Sequence, residues 1–101
     1  MIARTWHGAT PASKADGYVE FLEKSGVKDY RATKGNRGVL VLRKVSGDRA
    51  DFLLVSLWDD LDAVRRFAGP DVEKAFYYPE DKDFLLEFEP TVIHYEVAVG
   101  P

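Results

Sequence analysis

Arg4 and Trp6, Ser56 and Trp58, and His94 and Glu96 form three pairs, the members of each two positions apart. In an extended strand, residues two apart point to the same face. If the three segments are neighbouring strands, all six side chains converge. Such a set makes an unusual interior, because buried charge is costly unless it is paired. Arg4 and Glu96 read as an ion pair across adjacent strands. Convergent polar groups among aromatic rings suit a small planar, partly polar ligand. His94 is the member able to take up a proton near neutral pH, and Arg4 would stabilise the anion left behind. Trp6 and Trp58 would hold the ring, with Ser56 and Glu96 beside it. Tyr30, Tyr77 and Tyr78 add hydroxyl donors, the last two from a segment placed to close over the site. His7 falls on the other side of the first strand and lies outside the set.

Hydrophobic spacing defines the elements that must position these residues. The organising stretch is 50–69, ADFLLVSLWDDLDAVRRFAG, a strand over Phe52–Trp58 feeding a helix. Asp59 or Asp60 supplies the N-cap. Leu61, Val64, Phe67 and Ala68 follow at helical spacing, and Gly69-Pro70 ends the run. Leu53, Val55 and Leu57 on one side of the strand are uniformly aliphatic and read as packing. Phe52, Leu54, Ser56 and Trp58 on the other side read as a cavity wall. Upstream, Ile2–Ala9 alternates as a strand, and Thr10-Pro11 predicts the start of a helix that Gly26 closes. Gly17 within that helix costs about 1 kcal/mol relative to Ala, which suggests close approach to the sheet or a ligand. Residues 27–38 read as a polar connection. Val39–Val45 is the second strand, with hairpin chemistry at Ser46-Gly47-Asp48. Asp71–Ala75 reads as a helical turn. The segment FYYPEDKDF, 76–84, reads as an irregular, aromatic-rich loop folded over something apolar. Phe84–Phe88 reads as a short helix and Thr91–Val99 as the last strand.

The order strand, helix, strand, strand, helix, strand predicts a ferredoxin-like α+β domain with a four-stranded antiparallel sheet. Both helices would cover one face. The other would expose Leu53, Val55, Leu57, Ile93, Val97 and Val99, too much apolar surface for a lone chain, so a homodimer through that face is expected. The 101 residues make one domain, 1–101. With 14 basic and 17 acidic residues interspersed, no basic stripe marks a nucleic-acid partner. Cysteine is absent, which excludes disulfides and thiolate metal sites. No phosphate-cradling glycine loop, nucleophile elbow or histidine metal motif is present. The absence of a signal-like N-terminus or a membrane-length apolar run makes the cytoplasm the expected location and a membrane partner unexpected.

VSLWDDLDAVRRFAG, followed by FYYPED, a short LLEFEP and a closing HYEV strand, resembles the antibiotic biosynthesis monooxygenase superfamily. The likeness covers essentially the whole chain, and its most specific part is the strand–Trp58–acidic–helix junction. It implies a dimeric α+β barrel with a pocket in each subunit between sheet and helices, lined by Trp58. Characterised members of that superfamily include cofactor-free oxygenases of aromatic polyketides and haem-degrading enzymes. The latter carry an axial histidine on the helical segment after the strand. DVEKAFYY stands there instead, so no haem and no other cofactor is expected. The asparagine that many active members place on the first strand is also missing; Arg4, Trp6 and His7 stand there. Two functions follow from these expectations: a cofactor-independent monooxygenase of a small phenolic aromatic, or a non-catalytic dimeric module that binds a hydrophobic metabolite.

Overall fold

The computed structural model describes all 101 residues. Strand β1 spans Ile2–Pro11, and a single 3-10 turn over Ala12–Lys14 leads into helix α1, Ala15–Lys24. A second helix, α2, runs Gly26–Ala32. Strands β2 (Asn36–Ser46) and β3 (Arg49–Trp58) form a hairpin, helix α3 covers Leu61–Ala68, and β4 is Ile93–Glu96. The sheet is antiparallel with the order β2-β3-β1-β4. This is the ferredoxin-like arrangement expected, and it seats Arg4 between Ser56 and His94.

The β3–α3 junction forms as its residues dictate. Asp60 caps α3 by accepting the Ala63 amide at 2.9 Å, and Gly69 leaves the helix at φ +83. The two faces of β3 divide by alternation. Phe52, Leu54, Ser56 and Trp58 are buried, whereas Leu53 is exposed and Val55 and Leu57 are half-buried. The core lies between the sheet and the helices, built around Tyr18, Phe52, Val64 and Trp58.

Several elements differ from their sequence expectations. Strand β1 continues through Thr10-Pro11, and α1 starts four residues later without a threonine cap. Gly26 opens α2 rather than closing α1. The supposed polar connection holds a helical turn because Val27 and Tyr30, three apart, both bury against the core. No helix forms over 84–88. There the backbone is held from outside, the Leu86 amide donating to the Ala9 carbonyl at 2.9 Å. The last strand has only four ladder residues, with Thr91 meeting Lys74 in an isolated bridge before it. Gly17 is exposed, and a Cβ there would meet only Phe84, at 3.6 Å, so close approach does not explain it.

Candidate functional site

A cavity lies between the sheet and the helices, as alternation required. Arg4 and Trp6 from β1 and Leu54 from β3 form its floor. Tyr18 and Leu22 from α1, Tyr30 from α2 and Phe67 from α3 form its sides. Phe76, Tyr77, Tyr78, Asp81 and Val92 cover it from the segment between α3 and β4. Counted with its mouth, the empty space is about 410 Å³, but only about 30 Å³ admits the centre of a water-sized sphere. That holds a water or two and excludes an aromatic ring. The cavity is narrow although it opens to the surface, so an aromatic ring enters only if lining side chains of the covering segment move aside.

Three contacts hold this cover. The Trp6 indole N–H donates to the Tyr77 hydroxyl at 3.2 Å, which donates to the Glu89 carbonyl at 2.6 Å. The Tyr78 hydroxyl donates to Asp29 at the surface of α2. Asp81 accepts the Tyr18 hydroxyl at 3.0 Å and the Tyr78 amide at 2.7 Å. Gly8 fixes the Trp6 ring: a Cβ on it would lie 2.2 Å from Trp6 Cη2.

Arg4 is 2% exposed and belongs to no ion pair. Its Nη1 donates to the Val72 carbonyl at 2.5 Å and its Nη2 to the Lys74 carbonyl at 3.2 Å. Nη1 also lies 3.2 Å from His94 Nε2, and Nε has no partner. Phe67 presents its ring 6.0 Å from the guanidinium carbon. Burial lowers the Arg4 pKa from the usual range. Burial pushes Asp81 above the usual carboxyl range, although its two donors favour the charged form. Tyr30 responds to both groups. Burial raises it, Arg4 pulls it back, and Asp81 adds to the rise. The cavity thus carries a cation and an acid on its walls.

The other candidate residues lie elsewhere. His94 shares the face of Arg4, as alternation placed it, but sits behind the guanidinium and is not part of the cavity wall. Burial, and then the Arg4 charge, lower its pKa, so its ring is neutral at pH 7. Ser56 and Trp58 are buried on the same face of the sheet but outside the cavity lining, the indole N–H donating to Ser56 Oγ at 2.9 Å, and Trp58 packs on Tyr30 and Phe67. Glu96 pairs in register with Ile2, not Arg4, and is exposed beside Asp60 and Arg65, so the expected Arg4–Glu96 ion pair does not form. Tyr18 and Asp81 were missed from sequence. Asp81 stood unremarked in the segment expected to be an irregular, aromatic-rich loop. The proline after Tyr78 was the available signal, since it opens the 3-10 turn that carries Asp81 inward.

With sheet and helices in place, the fold is clear: a ferredoxin-like α+β domain. Two solved structures share it over their whole length. One is the heme-degrader MhuD from Mycobacterium tuberculosis with two hemes bound in its active site, 15% identical, covering 100% of this chain and 99% of that chain at a TM-score of 0.61. The other is a mutant of MhuD with two manganese protoporphyrin IX molecules per active site, 14% identical, covering 100% and 98% at a TM-score of 0.62. Neither a family model nor a curated protein matches the chain.

A haem does not fit this cavity. Neither histidine lines it: His7 is on the opposite face of the sheet, and His94 is screened by Arg4. The donors present are tyrosine hydroxyls and one carboxyl already held by two hydrogen bonds. Seven aromatic side chains crowd around the space and leave room for far less than a macrocycle.

Proposed function

We propose that the chain is a cofactor-independent monooxygenase of a small phenolic aromatic, acting as a homodimer. The observation that carries this reading is a narrow, aromatic-lined cavity with a guanidinium in no ion pair and a buried carboxyl on its walls. The substrate enters when the 76–81 cover swings out; the Tyr78–Asp29 contact is the one at the surface and the first to yield. Trp6, Tyr30 and Phe67 hold the ring. Asp81 takes the hydroxyl proton, since it faces the space. Arg4 stabilises the anion in a site from which water is excluded. His94, neutral and bonded to Arg4, is a positioning residue that orients the guanidinium.

The phenolate then reduces dioxygen from an activated ring carbon. A C–O bond forms and the O–O bond breaks. One oxygen stays as a carbonyl; the other leaves as water with the hydroxyl proton and the displaced ring proton. One phenol and one dioxygen give one quinone and one water, with no external reductant.

Oxygen uptake with a panel of hydroxylated aromatics tests this. Asp81→Asn should lower kcat by about 10² or more, the usual scale for a lost general base. His94→Ala should raise KM more than it lowers kcat. A loss of kcat confined to His94→Ala would return the base role to His94. Aromatics that bind and stabilise the chain without being converted would identify a non-catalytic binding module, a reading that the narrowness of the cavity also favours.

A further inference from the structure

We infer that the natural ligand of this cavity is a hydroxy-aromatic carboxylate, its carboxylate on Arg4 and its hydroxyl on Asp81. The inference rests on the cavity being the ligand site, and it adds the substrate class. Its basis is charge. Arg4 is a buried cation on the cavity wall with no carboxylate in contact and one N–H unpartnered. Two carbonyls, a neutral imidazole and a ring face supply dipoles but no opposite charge. Such a group costs several kcal/mol unless an anion offsets it.

A plain phenol cannot do this on arrival. Phenols ionise near pH 10, so they enter neutral, whereas carboxylic acids ionise near pH 4 and enter charged. The anion that meets Arg4 is therefore one the ligand already carries. Asp81 sets the opposite requirement. A second anionic group near it would be repelled, while a hydroxyl can donate to the lone pairs that Tyr18 and the Tyr78 amide leave free. The flanking rings Trp6, Tyr30 and Phe67 require the part between to be flat.

The test compares 6-hydroxy-2-naphthoate, whose carboxylate and hydroxyl lie at opposite ends of the ring system, with its neutral carboxamide on the unmutated chain, by calorimetry and thermal shift. The carboxylate should bind roughly ten- to a hundredfold more tightly, the range for hydrogen bonds to a charged partner. Arg4→Gln should reduce that preference to within about threefold, and Arg4→Lys should keep part of it. Removing the ligand's hydroxyl should weaken binding to the unmutated chain but not to Asp81→Asn. Equal affinity of carboxylate and carboxamide would overturn the inference and leave the aromatic site standing. Oxidation of neutral naphthols without carboxylate binding would do the same. If no aromatic of either charge binds, the site reading fails, and this inference with it. Because the main comparison uses the unmutated chain, it holds even if the Arg4 variants fail to fold.

Discussion

Trp6 can lie flat beneath the cover only because position 8 lacks a side chain. Its ring crosses the backbone of Gly8 so closely that a methyl there would overlap two of its carbons, at 2.2 and 2.6 Å. The same ring packs edge-on against Tyr77 and donates to its hydroxyl. One backbone position on β1 thereby determines how the covering segment seats. Gly8→Ala should destabilise the fold by about 1–3 kcal/mol, the scale of overpacking in a filled core. Chemical denaturation measures it. The displaced indole should also release Tyr77, so the variant should bind aromatics with a faster on-rate despite its lower stability. A stable variant with unchanged binding would show that Trp6 does not position the cover.

At the scale of elements, the 84–92 segment has little ladder of its own and is tied to the sheet by side chains. His7 on β1 is the main tie. Its Nδ1 meets Glu89 and its Nε2 lies 3.1 Å from Asp51 on β3, while Arg49 bridges Asp51 and Glu87. The Glu89 hydrogen bond, more than Asp51, raises the His7 pKa above its ordinary 6.5, against the pull of partial burial. A folded value above the unfolded one means stability that is complete below about pH 6.5 and lost as pH rises through the raised value. The network is half-exposed, so a few tenths of a kcal/mol up to about 1 is the expected size. Melting temperatures across pH 5.5–9 should show His7→Gln costing more at the acid end than at the alkaline end. A constant difference would mean the tie carries no charge.

Such ties were not legible in the sequence, because His7 meets partners 44 and 82 positions away with no periodic pattern. The elements that bury a regular face were legible. Strand β3 and helix α3 appeared through alternation and a capped 3.6-residue period, and the strand order placed Arg4 beside His94. Helix α2 was hidden because a seven-residue helix buries only Val27 and Tyr30 besides its opening Gly26, among charges. The inward turn of Asp81 depends on tertiary donors from Tyr18, which no local rule reports.

The whole molecule leaves one face of its sheet bare. Leu40 (57% exposed) stands opposite Val55, Leu42 (45%) opposite Leu53 (39%), and Ile93 (56%) and Tyr95 (54%) extend the patch across β1 onto β4. The β1 residues between are Ala3, Thr5 and His7; His7, opposite Leu53, brings its Asp51 and Glu89 partners to one side of the patch. A stable interface needs about 800 Å² per partner, roughly an eighth of this chain's 6169 Å². In the proposed homodimer both copies would bring this same aliphatic surface to a two-fold axis. Leu53→Lys tests this at the centre. Burying one leucine contributes about 1.5–3 kcal/mol, and symmetry counts it twice. The dimer dissociation constant should therefore rise by about 10²–10⁴-fold, while the isolated fold changes by no more than about 0.5 kcal/mol. Light scattering after size exclusion should give twice the chain mass for the parent and the single-chain mass for the variant. A parent that stays monomeric at 100 µM would remove the dimer. The cavity would survive that result, because every residue on its wall comes from one chain.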